Sequence, residues 1–163
     1  MRASARIALA VIFMTAASVG GAGERLRFEF FPQRHIALQG DWEKRRFTGN
    51  TAADSRVVAG FNDVELRLLI PRRFTSPPQE VNIHLVVASR VPGLRGTGGL
   101  EVSWVTRGRF LAGTAHPGGR VLFFQGVVDS DVLSDFISFT FAVDARELMS
   151  SLRFDPVFEI ELR

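Results

Sequence analysis

The sequence predicts an all-β protein, a single antiparallel β-sandwich of immunoglobulin-like or jelly-roll type with about eight or nine strands. Three observations carry this prediction. Apolar and polar residues alternate with a period of two in most of the chain, turn residues separate the alternating segments, and only one short stretch has a helical pattern. Because each segment has one apolar and one polar side, the strands are expected to cover a core on one side only.

The chain begins with a segment typical of an export signal. Arg2 and Arg6 precede an uncharged apolar run at residues 7–19, and small residues occupy positions 20–23. Residues 1–23 are therefore predicted to be a cleaved signal peptide, and residues 24–163 the β-sandwich domain. The apolar run is shorter than the roughly 20 residues that a membrane-spanning helix needs. No membrane span is expected in the mature chain.

The mature chain is predicted to consist of strands almost from end to end. The first strand follows the signal directly, and the clearest later runs have their apolar residues at 64–70, 81–87, 137–143 and 158–162. Further candidates lie at 42–47, 100–104, 110–112 and 121–123, and turn residues interrupt the pattern at 49–50, 76–78, 92–99 and 117–119. One short helical turn is predicted near 144–151, where Asp144 and Glu147 have capping-box spacing.

Composition restricts the classes of function. Cysteine is absent, which excludes a disulfide framework and a lipid-modified cysteine, and such an exported domain fits the periplasm or surface of a Gram-negative bacterium. The net charge of +3 falls to +1 (3 − 2) when the two signal arginines are removed. A near-neutral domain lacks the basic field of nucleic-acid-binding proteins, so no nucleic-acid partner is expected. Basic clusters at 44–46 and 72–73 leave an anionic surface polymer as an alternative partner, although strand-edge protection also explains them.

Chemical motifs are sparse. Asp129, Asp131 and Asp135 form a weak calcium candidate, since alternating carboxylates supply the hard oxygen ligands that calcium prefers, and a solvated acidic turn is the alternative. No other cofactor is expected. The sequence has no nucleophile elbow, phosphate-binding loop or zinc-ligand spacing, so no catalytic residue is assigned. A non-enzymatic role is favoured, and the question of an enzyme stays open.

Apolar residues outside the expected core indicate a protein partner. Phe124 and Phe136 lie opposite core-pointing neighbours, so they are either covered or part of an exposed apolar patch. The first strand carries Leu26, Phe28 and Phe30 on one side. It is either an ordinary strand or a strand donated to a neighbouring molecule, and in the second case the last strand would become an apolar sheet edge. This layout resembles that of chaperone–usher pilus subunits, although the chain carries no motif of that family.

The sequence thus predicts an exported, non-catalytic β-sandwich module that binds or assembles with other envelope or surface proteins. Its sharper form is a surface-fibre, pilus-like subunit, with self-association among its contacts. The alternative is a small periplasmic enzyme or ligand-binding protein with its site in the loops at 92–99, 116–119 and 129–135.

Overall fold

The computed structural model describes residues 23–31 and 56–163 in full and, elsewhere, only the backbone of residues 6–8, 37–39 and 41–42. The predicted signal peptide therefore lies outside the described residues, apart from Gly23 and the backbone of 6–8. In chain order the elements are β1 (Arg6–Ala8), β2 (Glu24–Phe31), β3 (Ala37–Gln39), β4 (Asp41–Trp42), β5 (Arg56–Leu69), α1 (Arg72–Thr75), β6 (Gln79–Val86), β7 (Leu100–Thr106), β8 (Gly113–Ala115), β9 (Arg120–Val128), β10 (Val132–Asp144) and β11 (Val157–Leu162).

One antiparallel sheet contains most of these strands. Eight follow one another in the order β8-β7-β10-β5-β2-β11-β6-β9, β4 pairs with β5 beside this path, and β1 pairs separately with β3. The two end strands, β8 and β9, lie close together. Just before β8, the Leu111 N–H donates to the Phe123 carbonyl of β9 at 2.7 Å. The sheet is therefore strongly curved and almost barrel-shaped. The predicted antiparallel all-β class is confirmed, while its division into two sandwich sheets stays a prediction.

Strand β2 joins two parts of this curved sheet. Its first residues pair with β11, with Leu26 opposite Phe158, and its later residues pair with β5, with Phe28 opposite Leu68. A strand that changes partner in this way forms a corner of the curved sheet. With β2 in place, β11 is an interior strand between β2 and β6. The strand donation considered from the sequence, which removes β2 from this domain, would turn β11 into an edge.

Two local predictions from the sequence are wrong. The weak strand candidate at 110–112 is a loop, and β8 begins only at Gly113. The segment near 144–151 is a hydrogen-bonded turn instead of a helix, with the Glu147 N–H donating to the Asp144 carbonyl at 3.0 Å. The capping box does not form, because the Asp144 carboxylate accepts from the Arg146 N–H (3.0 Å). Strand β6 and the turn at 92–99 start and stop close to the predicted positions.

The only helix of the described chain, α1, was not anticipated by the sequence. It is a single turn, closed by the Ser76 N–H donating to the Arg72 carbonyl at 2.8 Å, and it buries Phe74 and Thr75. None of the described residues belongs to a helix with the length and apolarity that crossing a membrane requires.

The core lies inside the curve, where the inward residues of every long strand meet. Its largest fully buried side chains are aromatic: Phe123, Phe139, Phe141 and Phe158. The ring of Phe110, from the loop between β7 and β8, completes the core with its centroid 4.6 Å from that of Phe123. Because the inward residues follow the period of two, the alternation seen in the sequence is what positions the outward residues as well.

Candidate interaction surface

Exposed apolar side chains concentrate on one part of the outer surface. In the described part of the chain, eight large hydrophobic residues are exposed. Four of them lie on the outward side of β7, β10 and β2, three members of the run of strands β7-β10-β5-β2. We call this surface, which extends across β5, the aromatic face; its exposed apolar members are Phe31, Val105, Val132 and Phe136. Several exposed apolar side chains on one face of a sheet are typical of interaction sites.

The register of three strands places the two phenylalanines in one row. Phe31 of β2 lies opposite Glu65 of β5, which lies opposite Phe136 of β10. Phe31 and Phe136 are 56% and 49% exposed, respectively. The next outward row contains Glu29, Arg67 and Ser134, and the third contains Arg27, Leu69 and Val132. Along the edge of β10 that pairs with β7, Val105 lies opposite Ser138, which follows Phe136 by two positions in β10.

Ion pairs lie between the rings. The Arg67 guanidinium donates to both carboxylate oxygens of Glu65, at 2.8 and 2.9 Å, and its carbon lies 5.0 Å from the centroid of the Phe31 ring. This hydrogen bonding lowers the pKa of Glu65. Arg107 donates to Asp63 at 2.6 Å. The aromatic face is therefore a mixture of rings and paired charges, as at protein–protein contacts, where aromatics and arginine are enriched.

A bulge in β5 borders the aromatic face. The pairing of β5 with β10 shifts between Ile137 and Phe139, and Asp63 opposite this shift has a positive φ of 55°. Its N–H donates to the Ser138 hydroxyl at 3.1 Å, while its carboxylate accepts from Arg107. The bulge thus turns a carboxylate toward a cation that reaches across from the loop after β7, and it ends the regular outward rows.

The partner residues predicted from the sequence fall into two groups. Phe136 lies on the aromatic face, whereas Leu26 and Phe124 are buried at 7% and 3% exposure. Phe28 and Phe30 are partly buried and point inward, with the Phe28 ring 5.1 Å from that of Phe158. Sequence reasoning missed Phe31, Val105 and Val132. Each is an apolar residue at a position where the alternation calls for a polar one, and this was the available signal.

The three aspartates of the calcium candidate have separate roles. The buried Asp135 accepts from the backbone N–H groups of Gly108 and Phe110, both at 3.0 Å, and thereby holds the loop that carries Phe110. Asp131 accepts from the Thr75 hydroxyl at 2.8 Å, and Asp129 is exposed. No group of three metal-ligating side chains suited to a metal ion occurs among the residues that the structure describes.

A second outer surface, over β11, β6 and β9, carries mainly charged and polar side chains together with the exposed Val127. We call it the charged face, defined by His84, Arg120, Glu159 and Glu161. Arg120 donates to Glu161 at 2.9 Å and to Glu159 at 3.4 Å, and the His84 Nδ1 lies 3.6 Å from Glu161. Burial and the nearby Arg120 lower the pKa of His84, against the opposing influence of the two glutamates.

The loops of the alternative site lie at two ends of the molecule. The turns at 92–99 and 116–119 flank the same end, since Asp144 N–H donates to Gly99 and Gly118 N–H donates to Val87. The segment at 129–135 lies at the opposite end of β9, beside α1, where Ile70 N–H donates to the Asp131 carbonyl at 2.9 Å. The structure therefore brings two of the three loops together and separates the third.

The basic cluster at 72–73 is engaged in ion pairs. Arg72 lies 3.5 Å from the Asp131 carboxylate, and Arg73 pairs with Glu24 at the start of β2 while its guanidinium covers the Phe74 ring. The cluster at 44–46 lies outside the described residues.

Comparison with family models, with curated proteins and with solved structures gives no match for this chain. The geometry of the described residues alone therefore supports a functional interpretation.

Proposed function

We propose that this chain is an exported, non-catalytic β-sandwich module that binds other proteins of the cell envelope or surface through its aromatic face. The exposure of Phe31 and Phe136 in one outward row carries this proposal. Large rings exposed on a sheet face are unfavourable in water, and burying each against a partner recovers about 1.5–3 kcal/mol. The two proposed layers of the sandwich are β8-β7-β10-β5 and β11-β6-β9, with β2 as the corner strand.

The location that we propose is the periplasm or surface of a Gram-negative bacterium. A charged start, a short apolar run and small residues support export, and an N-terminus at Glu24 would place the end of the mature chain directly at β2. Intact-mass measurement of the protein from a periplasmic fraction tests this. We expect the mass of residues 24–163, whereas an uncleaved chain in the cytosolic fraction would contradict export.

The alternative of an enzyme or small-ligand protein has its best support in His84, whose pKa is shifted as in many functional sites. Its side chain is only 12% exposed, however, and its Nδ1 atom is buried without a hydrogen-bond partner in the described part of the chain. A general base must reach the proton that it abstracts. The charged face therefore supports an enzymatic role less well than the aromatic face supports binding.

Variant-dependent capture tests the proposed function. The tagged full-length chain is expressed in a Gram-negative host, cross-linked in intact cells and purified, and the partners are identified by mass spectrometry. Phe136→Ser and Phe31→Ser are compared with Met149→Ser, which removes a residue that is 66% exposed but lies outside the aromatic face. We expect the first two substitutions to reduce capture of envelope proteins at least tenfold and the third to leave it unchanged. Equal capture by all variants would contradict the proposal.

A further inference from the structure

The aromatic face carries equal numbers of positive and negative side chains. Its cations are Arg27, Arg67 and Arg107, and its anions are Glu29, Asp63 and Glu65. A partner whose charges are all of one sign, such as an anionic polymer, gains no net electrostatic attraction from a surface whose charges cancel. A surface with the same mixture of signs and rings is a better match, and the closest such surface is the aromatic face itself.

We propose that the partner of the aromatic face is a second copy of this chain, a proposal that rests on the protein-binding function above. In a two-fold interface the same patch meets itself, so that residue i of one copy contacts residue j of the other and the reverse contact also forms. The aromatic face allows this about a two-fold axis that lies in the interface, perpendicular to the strands, between the row of Arg67 and the row of Glu65. Such an axis places Arg67 of each copy over Glu65 of the other.

The same axis accounts for the exposed rings. The row of Arg67 contains Glu29 of β2 and Ser134 of β10. Glu29 is the outward residue next to Phe31 along β2, and Ser134 is the outward residue next to Phe136 along β10. Face-to-face packing about the axis brings each ring against a small or polar side chain of the other copy instead of against another ring. The four rings of the dimer then surround two pairs of exchanged charges, each Arg67 facing a Glu65 of the other copy.

The size of the surface sets the expected affinity. Strands about 4.8 Å apart and outward residues about 6.7 Å apart along each strand give roughly 400 Å² for four strands and three rows. Two copies together would bury about 800 Å², which is below the 1,200 Å² of standard interfaces and typical of a weak, reversible association. We therefore expect a weak, reversible dimer that forms only at high protein concentration.

Sedimentation of the purified mature protein between about 1 µM and 1 mM tests the proposal. We expect a concentration-dependent monomer–dimer equilibrium that Phe136→Ser weakens at least tenfold and Met149→Ser does not change. A monomer throughout, or a dimer that persists with Phe136→Ser, would overturn the proposal. In the first case the cross-linking capture still decides the proposed function, because a different partner would continue to depend on Phe31 and Phe136.

A charge exchange tests the axis itself. Glu65→Arg alone places cations against cations across the interface, and Arg67→Glu alone places anions against anions, so each variant is expected to be monomeric. Mixed in equal amounts, the two variants present opposite charges at both contacts and are expected to recover the dimer. Circular dichroism confirms that both are folded, as expected for outward side chains. Failure of the mixture to associate, or dimerisation of either variant alone, would overturn the proposed packing.

Discussion

The aromatic face and the charged face belong to the same curved sheet and cover the same core, yet their outward residues differ in kind. On the charged face, Arg120 reaches across β6 to two glutamates of β11, and His84 lies 3.6 Å from one of them. On the aromatic face, Glu65 and Arg67 pair with each other and leave Phe31 and Phe136 in water. Both faces have charges, but only one has large exposed rings. The exposed rings, and not the charges, are therefore the observation that supports the proposed binding role of the aromatic face.

The largest expected effect concerns the core that the two faces share. Phe158 is fully buried below the charged face, and its ring also contacts Phe28 and Phe123. We expect Phe158→Ala to lower the free energy of unfolding by about 3–5 kcal/mol, because it removes a buried ring and leaves a cavity. The matched substitution Phe136→Ala on the aromatic face should change it by no more than about 0.5 kcal/mol. Chemical denaturation of the monomer measures both, and equal losses would show that Phe136 is a core residue.

A second effect concerns the anchor below the aromatic face. Asp135→Ala leaves the N–H groups of Gly108 and Phe110 without their acceptor, and we expect a loss of about 2–3 kcal/mol. The exposed Asp129 is the control, and Asp129→Ala should stay within about 0.5 kcal/mol. Urea unfolding followed by circular dichroism compares the two variants. A small effect of Asp135→Ala would show that the loop of Phe110 is held by its other contacts.

The charged face should make stability depend on pH through His84. Its pKa is lowered in the folded state, so below the unfolded value of about 6.5 the unfolded chain takes up a proton first. The contribution of His84 to the free energy of unfolding is fully present above that pH. It decreases as the pH falls toward the pKa of the folded state, and the free energy of unfolding then changes by at most about 1.4 kcal/mol per pH unit. His84→Gln should remove this slope between pH 7 and 5. Guanidinium unfolding at several pH values measures it, and an unchanged slope would assign it to other groups.

The smallest effect separates backbone strain from charge at the border of the aromatic face. Asp63→Ala and Asp63→Gly both remove the ion pair with Arg107, but only alanine resists the positive φ of 55°. We expect the alanine variant to be less stable than the glycine variant by about 1 kcal/mol. Thermal unfolding of the two variants measures the difference. Equal stabilities would mean that the bulge relaxes when the carboxylate is absent.

The sequence predicted the inward side of the sheet well and the outward side poorly. Alternation identified inward residues such as Leu66, Phe139 and Ile160 because burial repeats every second position. The order of the strands follows from pairing between distant segments, which a local pattern does not encode. Alternation places Phe31 on the side opposite to Phe30, but a local pattern does not show whether a distant segment covers that side.

The separate roles of the aspartates at 129–135 were hidden from the sequence for a different physical reason. Asp135 occupies an inward position of β10, and a carboxylate there is stable only because Gly108 and Phe110 supply N–H donors from more than 20 positions away. Without these partners in view, three closely spaced aspartates suggest a solvated turn or a cation site. Gly108 also permits the contact, since a Cβ atom at this position would lie 2.9 Å from the Asp135 carboxylate.

The corner strand β2 has a consequence for the order in which the chain acquires its structure. Leu26 pairs with Phe158, a partner 132 positions away (158 − 26). Until that partner has been synthesised, the first strand of the mature domain lacks one of its two neighbours, and the corner of the sheet is incomplete. Pairing over such a sequence separation is slow, on the millisecond-to-second scale of β proteins. A polypeptide with this design emerges from the ribosome without a finished fold, which is the state that the export proposed above would require.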